Sequence, residues 1–423
     1  MPSRTATAAA PASASPRRAH LPLIAACLVA VAAVATAMGL VVAGGGYTPA
    51  PPGIPDPGPI VVWGAPLSRL LTDLAGIATV GLLLAATVLD PSGKDGVLSR
   101  SGKRDLLLGA VAAVGWAVLA LVQMFFQLAN VLGLTLSGAA DPGVVSTYAT
   151  EIPGTRALLF TAILAMVVAI GCITSATTGA GMAWLVVAVV AAVLPALAGH
   201  SSGLGDHGLA LTAGVTHIAA AVLWVGGLTA LAAHAARRDM PMERAVQRFS
   251  PLALVAIVLV AASGLANAYT RFDVAGQLFT TGYGQVVLAK VLLIVALGIV
   301  GWILRSRVVR RAESRSRWAV FARVAAIDLL VMAIAVGLGT ALASSPPPRI
   351  EIPLASYGES LLGFAYPPAP TAATVLLGFR LDALFLVGSL VAAGLYIAGV
   401  IALRRRNDAW PALRTVSWLL GIG

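Results

Sequence analysis

The chain is 423 residues long, 59% apolar and only 11% charged, with a mean hydropathy of +0.92. A soluble domain carries about 25% charged residues, so this composition excludes a soluble globular protein and leaves a polytopic helical membrane protein as the class that fits. The net charge of +11 does not indicate nucleic acid, because the basic residues sit in short loops between apolar runs, where they set topology.

Residues 1–20 are rich in alanine, serine and proline and are expected to be disordered. Crossing the hydrocarbon core takes about 20 apolar residues. Ten segments qualify: 21–43, 66–89, 106–128, 157–174, 182–198, 208–233, 251–270, 284–304, 319–343 and 381–403. The first follows Arg17 and Arg18, and its length favours an anchor helix over a signal peptide. The fourth and fifth are short and are expected to pair tightly through the Ser/Thr/Gly-rich turn at 175–181. The segments 44–63 and 344–379 are rich in proline and glycine, and the second reads as a linker between modules. After the tenth span come an Arg-rich loop and the apolar stretch 417–423, which reads as the opening of a further helix; the chain is therefore expected to be a piece of something larger. The expected fold is all-α, a transmembrane bundle of about ten spans.

Basic residues alternate from loop to loop. One side receives Arg17 and Arg18, Lys94 to Arg104, Arg237 to Arg248, Arg305 to Arg317 and Arg404 to Arg414, whereas the other receives only Arg69, Arg156, Arg271, Arg349 and Arg380. The positive-inside rule then puts the N-terminus in the cytoplasm of a multi-pass cell-membrane protein whose first partner is lipid. Cys27 and Cys172 lie in separate apolar segments and read as small buried apolar residues rather than a disulfide.

Polar groups within the spans are costly, at least about 2.5–3.5 kcal/mol for a charge on insertion scales, and so are informative. At a rise of ~1.5 Å per residue, His217 lies about 14 Å into the sixth span, Asp73 about 11 Å down the second and Lys290 about 9 Å down the eighth. Gln123, Gln127 and Asn130 form one stripe on the third span, and Ser263, Asn267 and Thr270 repeat that spacing on the seventh. Five helices thus place polar groups at similar depth, which points to a hydrated cavity open to the outside, with Asp73 and Lys290 paired in it; local interhelical hydrogen bonds are the plainer alternative. Asp328, near the middle of the ninth span, has no evident partner at its depth and reads either as a proton-relay group or as a neutral acid.

Four of the five histidines fall between His200 and His234. His200 and His207 share a Gly/Ser-rich external loop and can converge, and two imidazoles with water or a carboxylate such as Asp206 suit copper or zinc. The same imidazoles could be merely solvated, and His217 could be a satisfied core histidine. His217 is ten residues from His207, about 15 Å along a helix, so one ion cannot bind both. His234, beside Arg237 and Arg238, reads as an interfacial residue with no special role. Met124, next to the Gln123/Gln127 stripe, offers a thioether to a soft ion. No nucleotide loop, catalytic triad or CxxC pair is present, and the chain does not read as an enzyme.

The runs HIAAAVLWVGGL from His217, RFSPLALVAIVLVAASGLANAY from Arg248 and TTGYGQVVLAKVLLIVAL from Thr280 together resemble the copper resistance protein D (CopD) family. The matching positions are His217, Trp224, Gly226, Gly227, Ser263, Gly264, Asn267, Tyr283, Gly284 and Lys290, with a core over 195–343 of a membrane domain spanning 21–343. The tail from 380 to 423, with Arg380, Asp382, Tyr396, Trp410, Pro411 and Arg414, resembles the start of the cytochrome c oxidase assembly factor CtaG family. The first resemblance implies copper movement or delivery, with copper ion as ligand and a respiratory oxidase or an external copper chaperone as partner. On this reading His200 and His207 capture the ion and His217 passes it inwards. A non-transporting scaffold for oxidase assembly, and a proton-linked transporter of another solute built on Asp73, Lys290 and Asp328, are the alternatives.

Overall fold

The computed structural model describes residues 21–90, 96–198, 207–237, 239–272, 274–303 and 316–348, with the single positions 358, 371 and 400. Among these residues secondary structure is helical, apart from one isolated antiparallel bridge between Val97 and Thr177. The helices are α1 (Leu21–Ala43), α2 (Gly58–Leu84), α3 (Arg100–Leu132), α4 (Leu136–Ala139), α5 (Pro142–Glu151), α6 (Pro153–Thr174), α7 (Thr178–Leu197), α8 (His207–Arg237), α9 (Met242–Tyr269), α10 (Gln277–Thr280), α11 (Gly282–Ile303) and α12 (Ser316–Ser344). Nine of the described helices, all but α4, α5 and α10, are long and apolar enough to cross a membrane. The protein is an all-α polytopic bundle. The N-terminal tail, the His200 loop, the linker and the expected tenth span at 381–403 lie outside the described residues.

Local chemistry sets the helix ends. Ser99 opens α3 by accepting from the Gly102 amide at 2.9 Å, and Gly133, at φ 65°, closes it. Asp141 accepts from the amides of Gly143 and Val144 and, with Pro142 behind it, starts α5. The helices α4 and α5 sit in the connection between the third and fourth spans, a feature that apolar length did not foretell. The expected α6–α7 hairpin is present, with a connection of only three residues; Trp184 donates to Ser175 across it at 3.0 Å.

Packing follows the small residues, as expected where lipid removes the hydrophobic drive between helices. Helix α2 is central and packs on α3, α7 and α8. It crosses α8 backbone to backbone: a Cβ on Gly226 would lie 2.7 Å from the Ile77 carbonyl oxygen, and one on Gly81 would collide with Gly226 itself. Gly227 leaves room for the Phe249 ring. Helix α1 meets α12 in the same manner, where a Cβ on Gly39 would lie 2.7 Å from that of Ala341 and Thr36 donates to the carbonyls of Ala32 and Gly337.

At its end α2 widens into a π-helical turn, Ala85–Leu89, before Asp90. Carbonyls at a helix end lack intrahelical partners. Arg248 of α9 reaches over and donates to the carbonyls of Val88 at 3.0 Å and Asp90 at 3.3 Å. Ser99 and Ser101 donate to the Asp90 carboxylate.

Orientation is a matter for labelling. In a background with Cys27 and Cys172 replaced by alanine, a cysteine at Ser202 is expected to react with an impermeant maleimide on intact cells and one at Ser314 is not. The reverse pattern would invert the topology.

Candidate functional site

Helix α8 carries His217 in its third turn, and α9 presents Ser263 to it, with Nδ1 and Oγ 3.1 Å apart. The Ser263 hydroxyl hydrogen is already committed to the Leu259 carbonyl. Its oxygen therefore accepts from the imidazole, which places the ring proton on Nδ1; the Val260 carbonyl is also within reach of the ring. Among the described residues no hydrogen bond is made to Nε2, and a second group that fixes Nδ1 is the kind of contact that sets a histidine tautomer. Gly264 lies beside the ring, where a Cβ would sit at ordinary contact distance, 3.6 Å from Cε1.

Lys290 reaches this region from α11. Its ammonium is in electrostatic range of His217 and points at α12, where a Cβ on Gly339 would lie 2.9 Å from Nζ. Direct pairing with Asp73 is not formed. Asp73 is half exposed and faces Arg69 one turn earlier on its own helix, with Nε and Oδ2 4.0 Å apart. Helix α2 begins at Gly58 rather than at 66, so Asp73 lies fifteen residues along it while Lys290 lies eight along α11, and the two residues belong to different helix neighbourhoods. Asn267 lies one turn beyond Ser263 on α9 and is half-buried.

The remaining polar groups form a second cluster. Arg69, Gln123, Gln127 and Asn130, with Ser344 of α12, line a cavity of about 280 Å³ between α1, α2, α3 and the end of α12. Gln123 is 7% exposed and its Oε1 has no hydrogen-bond partner among the described residues. Gln127 rests on Gly154. The single cavity read from the five helices is thus two clusters, and His217, Ser263 and Lys290 do not line the second. Met124 is brought to neither. It is buried among Ala149, Leu158 and Phe125 on the other face of α3. Asp328 is 9% exposed, and its Oδ1 has no hydrogen-bond partner among the described residues.

His207 begins α8, its side chain lying outside the description along with His200. Among the described residues no three His, Cys, Asp or Glu side chains converge on a point where a metal ion would sit.

The most elaborate polar cluster is one that sequence reasoning passed over. His234 is fully buried, its Nε2 2.9 Å from Asp105 Oδ2 and its Nδ1 2.7 Å from Asp239 Oδ1. Arg104 reaches both carboxylates, at 2.7 Å to Asp239 and 3.3 Å to Asp105. Arg237 lies 3.6 Å from Asp239. Burial opposes ionisation of Asp239, but hydrogen bonds from His234 and Arg104 outweigh it and hold the carboxyl below the usual carboxylate range. The available signal was an acid at the mouth of the third span, Asp105, and another just past the end of α8.

Residues 243–342 match the copper resistance protein D family and residues 54–210 match the copper resistance protein D-like N-terminal domain. Over 399 residues the chain is 28% identical to the uncharacterized protein Mb0105 of Mycobacterium bovis, covering 93% of this chain and 57% of that one. It is 28% identical over 262 residues to the copper transport protein CutJ of Bacillus subtilis, covering 59% of this chain and 47% of CutJ. With the uncharacterized protein ML1998 of Mycobacterium leprae it shares 25% identity over 379 residues, 87% of this chain and 53% of that one. The chain spans about half the length of the curated relatives it matches. No solved structure matches it. With nine of the described helices fit to span a bilayer, the chain is a multi-pass membrane protein that is similar to the copper resistance protein D family over residues 54–210 and 243–342.

Proposed function

We propose that the protein takes copper from the external face and relays it into the membrane, with a respiratory oxidase as one destination. The observation that carries this reading is His217, an imidazole some 15 Å along its helix whose Nδ1 is held by Ser263 and whose Nε2 makes no hydrogen bond among the described residues. An intramembrane ionisable group so oriented is a candidate functional site by default, and imidazole suits copper. Similarity to a copper transport protein supports the same class of cargo. His200 and His207 would collect the ion from outside, and His217 would receive it.

Copper uptake in a copper-starved host lacking its own importer tests the reading. His217→Ala is expected to lower maximal uptake at least about tenfold at unchanged protein level, the loss of one charge-assisted or ligand contact of ~1.4 kcal/mol in a transit barrier. His200→Ala with His207→Ala is expected to raise the concentration for half-maximal uptake and to leave the maximum intact. Wild-type uptake in the His217 variant would remove that residue from the path.

The second reading, a non-transporting scaffold for oxidase assembly, is favoured by the lack of a converged three-ligand metal cluster among the described residues. Copper titration of the purified chain separates the two, since a scaffold binds no stoichiometric copper.

A further inference from the structure

The cluster around His234 has no part in the copper reading, and its geometry sets a requirement of its own. Both ring nitrogens face carboxylate oxygens, at 2.7 Å and 2.9 Å. A neutral imidazole carries one N–H. In that state one nitrogen would turn its lone pair onto a carboxylate oxygen at hydrogen-bond distance, in a site with no exposure at His234 or at the Asp105 side chain. The Nε2 contact is close but off the hydrogen-bond axis, and neither Nε2 nor Asp105 Oδ2 has another hydrogen-bond partner among the described residues. Opposite charges would hold such a contact together.

We propose that Asp105, His234 and Asp239 form a proton-binding site, which holds one proton as an imidazolium between two carboxylates and so seals the Arg-rich end of α8 against α3.

The division of the carboxylate oxygens fits that state. Asp105 gives Oδ1 to Arg104 and Oδ2 to His234; Asp239 gives Oδ2 to Arg104 and Oδ1 to His234. Each acid therefore has a cation on either side. Among the described residues the other charged groups near this end are turned elsewhere, Arg100 and Lys103 of α3 being exposed. Arg248 of α9 holds the Val88 and Asp90 carbonyls, Asp90 is taken by Ser99 and Ser101, and Glu243 and Arg244 are exposed. The π turn and α7 carry no charged residue. On α12, Asp328 lies twelve residues in from the helix start. Arg237 stands at Asp239 from α8 itself. Asp239, with 18% of its side chain exposed, is the point at which a proton enters and leaves. Without the proton, two acids face a ring able to satisfy one, and α8 loses its tie to α3, a helix against which it does not otherwise pack among the described residues.

Nitrogen-15 spectra of the ring-labelled full chain in nanodiscs test the site. An ordinary histidine, titrating near 6.5, is about 3% protonated at pH 8. At pH 8 exactly one of the five histidines is expected to show the imidazolium signature, and His234→Gln is expected to abolish it. Should that variant not fold, Asp105→Asn keeps the shape and is expected to move the titration of the signal down by at least one pH unit. Absence of any imidazolium at pH 8, or its survival in His234→Gln, overturns the site. The melting temperature is expected to fall with rising pH in step with loss of the signal; a melting temperature that ignores it overturns the sealing role.

Discussion

Gly226→Leu is expected to prevent the bundle from assembling. At this position α2 and α8 touch through bare backbone, with the Ile77 carbonyl oxygen 2.7 Å and the Gly81 nitrogen 2.9 Å from where a Cβ would stand. Those atoms belong to helix backbone and cannot rotate aside. Even a modest overpacking of a core costs ~1–3 kcal/mol. Leucine adds four carbons where one has no room, against a total stability of about 5–15 kcal/mol. Size-exclusion of the detergent extract should show loss of the monodisperse peak. Gly115→Leu, on α3 with no atom within 4 Å of its Cβ position, is the control and should elute as wild type. Equal elution and melting temperature for the two variants would mean that the close crossing is absent.

The second large effect lies at the opposite kind of contact. His234→Leu removes one partner of a buried charge cluster and leaves the Asp105 side chain, itself without exposure, facing only the partly exposed Arg104. Breaking such a pair costs ~3–5 kcal/mol, whereas replacing both members by apolar groups is often near neutral. The double variant His234→Leu, Asp105→Leu is therefore expected to recover much of the loss, and a thermal-unfolding cycle measures the difference. Additive losses would deny the coupling. The Asp239 carboxyl has its own pH signature. Because it is held below the ordinary carboxylate range, its contribution is present in full above about pH 4 and is lost as pH falls through its lowered value.

Spans were legible because lipid imposes them: the apolar runs 21–43 and 157–174 reappear as Leu21–Ala43 and Pro153–Thr174, extended in the second case by a proline-led first turn. The short α4 and α5 were not, since their starts depend on Thr135 and Asp141 as caps rather than on any apolar period. The depth of His217 followed from its spacing along the sixth span, whereas its hydrogen bond to Ser263 did not, because it depends on how α8 and α9 are turned towards each other. Which helix receives Lys290 did not, because depth along a helix says nothing about azimuth or neighbours. His234 was misjudged for the same reason. Arginines beside it suggested an interface, whereas its partner Asp105 comes from a helix far off in the sequence. The Trp-x-Gly-Gly turn was visible as a signature, and the structure supplies its physical cause in the crossing of Gly226 and the seat of Phe249 at Gly227.

That crossing stands almost midway between the two imidazoles of α8. Gly226 stands nine residues from His217 and eight from His234, about 13 Å and 12 Å along the axis. Two bare backbones pressed together resist further approach, with Leu84 of α2 seated against Gly227 beside them. A stiff rod held at such a point has a fulcrum there. Tilting α8 in its plane with α2 would carry His217 and His234 nearly equal distances in opposite directions, so that the two imidazoles balance about a single pivot.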